Sequence, residues 1–402
     1  MKIILVADHA FINGGQAKVA IDSARGLAAR GHEVIYFAAV GPADPGLAAA
    51  GVKTIVLGQS DVTRARSLAR FGVQWLWNGA AAKALKSLLA SCDPHNSVVH
   101  VHGWAKSLSP SIGPVLRDSP VRKVFTMHEY YLACPNGGFY DYPVSQACHR
   151  VPLSLACVSH NCDSRSYGRK LLRVGRHVVM RQSGLIESLG DVITISHLQR
   201  TALAPYLPPD TRWHHVGNPV DVAPKGPKAD GKPGDFVFVG RISAEKGPKL
   251  FAEAARLAGH RAVFVGDGPQ AGELKALYPE AEILGWKKPG EVRQYLRAAR
   301  ALVFPSVWYE GQPLTVLESL ALGTPVIVSD ICAGREAVAD GISGLWFKCG
   351  NATGLAAAMH KLADDTVVQK MSRAAYDLFW ADPLTLDRHL GLLMQVYAPL
   401  LH

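Results

Sequence analysis

Short apolar runs alternate with helical segments along most of the chain, and this alternation restricts the folds that are open to it. Residues 2–7 form the first run, and further runs in the first half occupy residues 33–37, 53–57, 98–101 and 191–195. Segments rich in Ala, Leu and Arg separate these runs, and the same pattern continues from residue 236 to residue 328. Strands separated by helices pair in parallel, with helices on both faces of the sheet. The sequence therefore predicts an α/β protein.

The length of the chain indicates two such domains. Its 402 residues, 48% of them hydrophobic, exceed what a single core usually holds. Residues 216–221 and the Pro-, Gly- and Lys-rich residues 223–234 have the composition of a linker. We therefore place the domains at residues 1–220 and 221–383, followed by a helical stretch at about residues 384–402.

A pair of carboxylates follows the predicted strand at residues 301–304. Glu310 lies in the loop after this strand, and Glu318 lies on a helix that Pro313 can begin. Ligands of parallel sheets bind at the carboxyl ends of the strands, where the N–H groups of residues 311–315 can meet an anion or a sugar hydroxyl. Because Glu318 could accept two ribose hydroxyls, the pattern indicates a sugar-nucleotide site. The alternative is an exposed loop Glu and a solvated helical Glu.

Two strand ends in the same half carry glycine turns. Residues 236–239 lead into Gly240, Arg241 and then Lys246, and two cations at a strand end suit a diphosphate. Ordinary surface charges are the alternative. The next predicted strand ends at Gly266, which is a weak signal on its own.

Two strand ends in the first half also carry candidate site residues. Gly14 and Gly15 precede a helical segment and would let a phosphate approach the backbone, although the full G-x-G-x-x-G spacing is missing and a turn without a ligand is as good an interpretation. His128 follows a strand at residues 124–127, a position where a structural histidine is the more common finding.

These motifs together resemble the retaining nucleotide-sugar glycosyltransferases of family 4. The match lies in Glu310-Gly311, in the run from Glu318 to Pro325 that completes an E-x7-E signature, and in the Gly240 segment. The resemblance implies a GT-B architecture, in which two Rossmann-like domains face each other across a cleft. It further implies that the first domain binds the acceptor, that the second binds the donor, and that the helix at about residues 384–402 packs back on the first.

The resemblance also assigns roles to residues. Arg241 and Lys246 would neutralise the departing diphosphate, Glu310 would contact the sugar, and His128 would bind or orient it; these four are the expected catalytic residues. The expected donor-binding residues are Gly14, Gly15, Gly240, Arg241, Lys246, Gly266, Gly311, Gln312, Pro313, Leu314, Thr315 and Glu318. No Asp-x-Asp triplet occurs in the sequence, which is consistent with a metal-independent reaction that needs no cofactor.

The net charge of +10 is concentrated in the first half. Residues 1–221 contain 23 Lys and Arg against 14 Asp and Glu, whereas residues 222–402 contain 20 against 19. This excess predicts an anionic partner such as a membrane surface or a lipid-linked diphosphate acceptor. The predicted contact segment is residues 164–181, with six basic residues and no acid, and a core-packed helix with a solvated basic face is an equal alternative. Further basic and aromatic candidates for this surface are Arg64, Arg66, Arg70, Trp75 and Trp77.

Nucleic acid is the competing anion, but no zinc-finger, homeodomain or RNA-recognition signature supports it, so we expect no nucleic-acid partner. No run approaches the roughly 20 apolar residues that span a bilayer, and the first residues form a domain strand rather than a signal peptide. We therefore expect a cytoplasmic protein, either free in the cytosol or peripheral on the inner face of the cytoplasmic membrane.

Four cysteines lie in a loop-rich insertion at about residues 134–162. Cys134, Cys148, Cys157 and Cys162 could hold a structural zinc ion in a reducing compartment, but the spacing lacks paired C-x-x-C knuckles. A disulfide and plain thiols are the alternatives. Because the insertion closely follows His128, its residues 136–140 are a candidate determinant of acceptor choice.

The expected function is the transfer of a sugar from a nucleoside-diphosphate sugar, UDP- or GDP-linked, to a saccharide or lipid-linked acceptor hydroxyl. Such a reaction belongs to the assembly of polysaccharide, lipopolysaccharide or glycolipid in the cell envelope. The alternatives are a GT-B phosphorylase, a sugar-nucleotide epimerase, or a non-catalytic binding protein on a degenerate transferase fold.

Overall fold

The computed structural model describes residues 1–60, 72, 74–224, 226, 228 and 233–401. The chain forms two compact units. The first unit comprises Met1–Gly138, Arg150–Pro219 and Thr385–His402, and the second comprises Phe139–His149 and Val220–Leu384. The candidate surface residues Arg64, Arg66 and Arg70 lie outside the described residues.

Fifteen strands are described, and most are short and apolar. They are β1 (Lys2–His9), β2 (Glu33–Val40), β3 (Lys53–Val56), β4 (Ser97–Val101), β5 (Arg122–Met127), β6 (Tyr140–Asp141), β7 (Gln146–Ala147), β8 (Asp191–Thr194), β9 (Arg212–His215), β10 (Phe236–Val239), β11 (Ala262–Val265), β12 (Glu282–Ile283), β13 (Ala301–Phe304), β14 (Val326–Ser329) and β15 (Gly344–Phe347).

The helices of the described residues lie between these strands and after the last of them. They are α1 (Gly15–Ala29), α2 (Pro45–Ala49), α3 (Gly79–Ala90), α4 (Ile112–Asp118), α5 (Leu155–Val158), α6 (Tyr167–Gln182), α7 (His197–Leu203), α8 (Pro248–Ala258), α9 (Ala271–Leu277), α10 (Pro289–Ala298), α11 (Leu314–Ala321), α12 (Ala352–Lys361), α13 (Asp365–Ala381) and α14 (Leu386–Tyr397). Across the described chain, no helix has both the length and the apolar character needed to cross a bilayer.

The first unit is built on a seven-stranded parallel sheet. Its strand order is β3-β2-β1-β4-β5-β8-β9, so the order reverses between β1 and β4. The inner strands are almost wholly buried, as expected for a sheet covered on both faces. The carboxyl ends of β1, β4 and β5 lie side by side at the point of reversal, which is where open α/β sheets bind ligands.

Helix α14 completes the core of the first unit although more than 160 residues separate it from Pro219. Leu390, Leu393 and Tyr397 are buried in that core, and a methyl group at Gly26 of α1 would lie 2.4 Å from Cδ1 of Leu390. The ring of His389 is 3.1 Å from Oγ of Ser23, on α1. Helix α14 is therefore an integral part of this unit.

The second unit contains a six-stranded parallel sheet and a small hairpin. The sheet order is β12-β11-β10-β13-β14-β15, and β6 and β7 form the antiparallel hairpin. The two parallel sheets confirm the α/β prediction. The sequence prediction treated residues 134–162 as one insertion in the first domain, whereas the structure groups residues 139–149 with the second unit. Aromatic contacts join residues 139–149 to the second unit. The rings of Phe139 and His149 lie 6.1 and 6.4 Å from the ring of Tyr309, both edge to face.

Candidate functional site

Glycines allow the ends of β10 and β11 to approach each other closely. Gly240 and Gly266 have φ angles of 147° and 149°, values that side-chain-bearing residues rarely adopt. A Cβ atom at Gly266 would lie 1.9 Å from the carbonyl oxygen of Gly240, so no other residue fits there without a shift of the backbone. The close contact of Gly266 with the backbone of Gly240 is therefore enough to explain the glycine, without a contact to a ligand.

A third glycine places a lysine beside the end of β13. Gly247 has a φ angle of 67°, and a Cβ atom there would lie 2.1 Å from the carbonyl oxygen of Pro305. The backbone N–H of Val307 donates to the carbonyl oxygen of Glu245 at 3.0 Å, which joins the two loops. This close approach positions Lys246, at the end of a short 3-10 helix, next to the loop that carries Glu310.

Lys246 and Glu310 form an ion pair in that loop. The Nζ atom of Lys246 is 2.5 Å from Oε2 of Glu310, and Nε1 of Trp308 donates to the same oxygen at 2.6 Å. The two side chains are only 21% and 17% exposed. The backbone N–H of Ala333 donates to the carbonyl oxygen of Glu310 at 3.0 Å. The carboxylate of Glu310 therefore keeps the hydrogen bond from Trp308, and its backbone carbonyl keeps that from Ala333, whether or not Lys246 is bound.

Arg241 lies at the start of the loop after Gly240 and is exposed. Its guanidinium forms no hydrogen bond or ion pair with the described part of the chain, whereas its backbone carbonyl accepts from the N–H of Ser243 at 3.0 Å. This guanidinium is thus available to an incoming anion, and its planar set of donors suits a phosphate.

Helix α11 begins directly after the Glu310 loop. Pro313 is its N-cap residue, and no side chain caps the first turn. Gly311, Gln312, Leu314 and Thr315 are half-buried around this helix start, and Glu318 is half-buried further along the same helix. The predicted donor-binding residues of the second unit are therefore drawn from the carboxyl ends of β10, β11 and β13 and from the first turns of α11.

His128 follows β5 in the first unit and is paired with a second histidine that sequence reasoning missed. Nδ1 of His102 is 3.1 Å from Nε2 of His128, and the rings stack with centroids 5.4 Å apart. Burial, with smaller contributions from His389 and Lys106, lowers the pKa of His128 from 6.5 to about 3. Burial also lowers the pKa of His102 well below its ordinary value. Both rings are therefore neutral near pH 7.

The loop after β4 is fixed by two polar side chains from the amino-terminal segment. The carboxylate of Asp8 accepts from the backbone N–H groups of Lys106, Ser107 and Leu108 at 3.0, 2.7 and 2.9 Å. Nε2 of Gln16 donates to the carbonyl oxygen of His102 at 2.5 Å. An internal carboxylate on three N–H groups makes this loop rigid.

A small cavity of about 30 Å³ lies against this loop. Its lining includes Gln16, His102, His128, Glu129 and Tyr131. A volume of this size accommodates a single water molecule. The imidazoles and carboxylate that surround it are groups suited to hydroxyl ligands.

An arginine from helix α6 supports the same loop from inside the protein. Nη1 of Arg176 donates to the carbonyl oxygen of Ala105, and the guanidinium lies 4.2 Å and 4.9 Å from the ring centroids of Trp75 and Tyr131. Burial lowers the pKa of Arg176 to about 10, so the side chain remains charged near pH 7. Its role in the structure is to position the loop.

Gly14 and Gly15 lie at the amino end of α1. Gly14 is the N-cap residue with extended backbone, no side chain caps the helix, and a Cβ atom on Gly14 would meet nothing within 4 Å. A 15-residue helix with an open amino end is a suitable place for an anion. The donor-binding role of these glycines stays a prediction.

Only part of the predicted basic segment at residues 164–181 is exposed. Lys170 and Arg176 are 1% and 4% exposed, and Arg173 pairs with the fully buried carboxylate of Asp163 at 2.7 Å. Lys170 and Arg176 are therefore held inside the protein, and Arg173 is committed to its ion pair with Asp163. The basic residues left near the surface are Arg165, Arg169 and Arg181.

The four cysteines of the insertion do not form a recognisable metal site. Cys148 lies in the second unit, whereas Cys134, Cys157 and Cys162 lie in the first. Among the described residues, no group of three or more His, Cys, Asp and Glu side chains is arranged to hold a metal ion. The zinc ion stays a prediction without structural support, and all seven cysteines are thiols.

Sequence comparison and structural comparison agree on the class of protein. Each unit is built on a Rossmann-like parallel sheet, as in the GT-B glycosyltransferases. The sequence model of Glycosyltransferase Family 4 matches residues 13–224, and that of Glycosyl transferases group 1 matches residues 221–377. The chain belongs to glycosyltransferase family 4, which confirms the resemblance seen in its motifs.

The individual relatives are distant. The chain is 32% identical over 152 residues to the UDP-Gal:alpha-D-GlcNAc-diphosphoundecaprenol alpha-1,3-galactosyltransferase of Escherichia coli, an alignment that covers 34% of this chain and 38% of that enzyme. It is 29% identical over 337 residues to the alpha-maltose-1-phosphate synthase of Mycobacterium tuberculosis, covering 77% and 78% of the two chains. The solved structure of Anabaena HepE in complex with UDP-glucose has a TM-score of 0.64 at 14% identity and covers 99% of this chain and 100% of its own.

The residues that sequence reasoning missed had only weak signals. Trp308 lies two positions before Glu310, and His102 follows β4 as His128 follows β5. Because β4 and β5 are adjacent parallel strands that end at the same edge of the sheet, the closeness of His102 and His128 could have been predicted from the strand order. Asp8 and Gln16 gave no signal, because their partners are backbone groups of a loop about 90 residues away.

Proposed function

We propose that this protein transfers a sugar, with retention of anomeric configuration, from a nucleoside-diphosphate sugar to an acceptor hydroxyl. The Lys246–Glu310 ion pair, together with the exposed Arg241 at the end of β10, carries the proposal. Two cations at the carboxyl edge of a sheet can take up the charge that develops on a departing diphosphate. The comparison with HepE in complex with UDP-glucose supports a uridine nucleotide as the donor base.

Lys246 is suited to the leaving group because its ammonium group can change partners. One of its N–H groups is directed to Glu310, which leaves two for phosphate oxygens. Glu310 stays in position through Trp308 and Ala333 when Lys246 turns to the diphosphate. In this reaction Glu310 then contacts the transferred sugar, and Glu318 accepts hydrogen bonds from the ribose.

His128 contributes a neutral imidazole in the proposed reaction. A ring with a pKa of about 3 does not take a proton from the acceptor near pH 7, so its role is to hydrogen-bond and orient the sugar. The departing phosphate oxygen is then the base that receives the acceptor proton. His102 acts as the positioning residue for His128 through the 3.1 Å contact.

A lipid-linked saccharide is the proposed acceptor. The relative from Escherichia coli acts, by its name, on a GlcNAc-diphosphoundecaprenol, and the excess positive charge of the first half of this chain suits such a diphosphate. The Mycobacterium tuberculosis relative is named for a maltose phosphate product, so a soluble phosphorylated sugar is the competing acceptor. Product analysis with both acceptors distinguishes them.

We expect UDP to raise the melting temperature of the protein, and replacement of Glu318 by Ala to abolish the rise. A ligand present at about 100 times its dissociation constant stabilises the native state by roughly 2.7 kcal/mol. The measurement is a thermal-shift series with UDP, GDP, ADP and their glucose conjugates on the wild type and the variant. Glu253→Ala, which changes an exposed Glu on α8 of the same unit, is the matched control and should keep the full shift. An equal shift in the wild type and Glu318→Ala would remove the ribose role of Glu318.

A lipid-linked acceptor lies in a membrane, and α6 has an exposed apolar face that could bind one. Tyr167, Leu171, Leu172 and Val178 are 39%, 42%, 53% and 41% exposed on this helix. Arg169 and Arg181 lie on the same helix, and Arg165 lies just before its first residue. Exposed apolar residues flanked by arginines on one helix are typical of an interfacial segment that binds anionic lipids. We therefore propose that α6 contacts the membrane through this face.

Replacing Arg169 and Arg181 by Gln should weaken binding to phosphatidylglycerol vesicles about thirtyfold, since each arginine near an anionic surface contributes about 1 kcal/mol. Leu171→Ser with Leu172→Ser should weaken it as well, and salt should reduce the wild-type affinity. The matched control is Leu257→Ser with Leu277→Ser, two exposed leucines on helices of the second unit. If neither α6 variant changed the affinity for vesicles, the proposal that α6 contacts the membrane would be wrong.

A further inference from the structure

A lysine and two cysteines lie together inside the first unit. The side chain of Lys170, on α6, is buried with 1% exposure. Its Nζ atom is 3.2 Å from Sγ of Cys162 and 3.4 Å from Sγ of Cys157. Both thiols are buried as well. The cluster lies outside the candidate site, and the proposed reaction makes no use of it.

The chemistry of this cluster is unusual for a structural contact. A buried ammonium group normally requires a carboxylate, because the loss of hydration is otherwise uncompensated. Asp163 is adjacent in sequence to Cys162, but its carboxylate pairs with Arg173. Within the described residues, the hydrogen-bond partners of the Lys170 ammonium are the two sulfur atoms. Cysteine sulfur is the atom of this cluster that small oxidants attack, and the amine of Lys170 lies within contact distance of it.

We propose that Lys170 and Cys162 are a modification site at which an oxidant joins them by a reversible N–O–S bridge. The thiol of Cys162, the amine of Lys170 and one molecule of dioxygen give the bridge and one water. Sulfur loses its hydrogen and gains a bond to oxygen, nitrogen loses one hydrogen and gains a bond to the same oxygen, and the second oxygen atom leaves as water. Two molecules of hydrogen peroxide give the same bridge with three waters. Two molecules of dithiothreitol supply the four hydrogens that return the thiol and the amine and release the bridging oxygen as water.

The geometry favours Cys162 over Cys157 as the partner. Its sulfur is the nearer one, and its backbone is held in place because Nδ2 of Asn136 donates to its carbonyl oxygen at 2.9 Å. Lys170 is fixed in the first turn of α6, where Ser166 caps the helix. Insertion of one oxygen atom between nitrogen and sulfur requires only a small contraction of the present distance.

The segment that contains Cys157 lies partly at the protein surface. Its strongly exposed residues include Val151 and Leu155, at 63% and 84%. Local opening of such a segment admits a molecule of the size of peroxide. The bridge would join the insertion covalently to α6.

The test is mass spectrometry of the full chain, stripped of metal with a chelator and treated with hydrogen peroxide, before and after reduction with dithiothreitol. Trypsin cleaves after Arg150, Arg165, Arg169 and Arg173. The expected product therefore joins residues 151–165 to residues 170–173, gains one oxygen, loses two hydrogens and resists cleavage at Lys170. Fragmentation should place the bond on Cys162.

The variants make the assignment specific. Cys162→Ser should abolish the cross-linked product, whereas Cys349→Ser, a change of a half-buried cysteine in the second unit, should leave it intact. A product that has only lost two hydrogens within residues 151–165 would be a Cys157–Cys162 disulfide and would overturn the proposal. A bridge on Cys157 alone, sulfinic acid without a cross-link, or stoichiometric zinc on native protein that prevents oxidation would also overturn it.

Discussion

Replacing Lys246 by Met should lower kcat by about 10²–10³-fold, the usual effect of removing one preorganised group that stabilises developing negative charge. Methionine keeps the length and the apolar stem of the side chain and removes the ammonium group. Glu310 retains the indole N–H of Trp308, so the loop should hold its conformation. The measurement is the steady-state rate of nucleotide release from the sugar donor that the thermal-shift series identifies.

The matched control is Lys249→Met. Lys249 lies three residues further along the same unit and pairs with Glu273 at the surface at 2.5 Å. Surface pairs of this kind contribute little to stability, so this variant should turn over at close to the wild-type rate. If Lys246→Met kept its kcat within about twofold while the donor KM rose, Lys246 would bind the ground state and the transition state equally, and the leaving-group role would be wrong.

His128→Ala should lower kcat by about a hundredfold, since a positioned hydrogen-bonding group at the reacting sugar is lost. The wild-type rate should show no titration of His128 between pH 5 and pH 9, because burial holds its pKa at about 3. His95→Ala removes an exposed histidine of the same unit and is the control. A wild-type pH profile with a limb near 6.5 that disappears in His128→Ala would contradict the neutral role.

The same pKa predicts the direction of acid destabilisation. His128 has an ordinary pKa of 6.5 in the unfolded chain and about 3 in the folded chain, so the unfolded state binds the proton first as pH falls. The stability contributed by its neutral form is complete above pH 6.5 and decreases between pH 6.5 and pH 3. Burial lowers the pKa of His177 to about 3 as well, so the two residues act in the same direction.

The sequence predicted the strands and glycine turns of the second unit because their signals are local. Apolar runs of four residues mark β10, β11 and β13, and the glycines after them are required by backbone angles and close approaches. The ion pair between Lys246 and Glu310 was beyond such reasoning. It depends on Gly247 meeting Pro305, 58 residues further along the chain, and no local pattern encodes that distance.

For α6, local reasoning predicted the helix correctly but did not predict which of its basic residues are buried. Residues 164–181 contain α6, but charge alone could not show that Arg176 lies between two aromatic rings or that Lys170 meets two thiols. Those partners come from loops whose positions tertiary packing determines. Long cationic side chains bury readily when such partners exist, so a run of basic residues is weak evidence for a basic surface.

The late position of α14 in the chain affects how the protein is made. Residues 386–397 are synthesised after residues 220–384, yet Leu390, Leu393 and Tyr397 complete the core of the first unit. Until they emerge from the ribosome, the nascent first unit presents an unfilled apolar groove over α1, while the second unit is already able to fold. Domains synthesised first usually fold first, so this protein should depend on chaperones during translation more than its two-unit layout suggests.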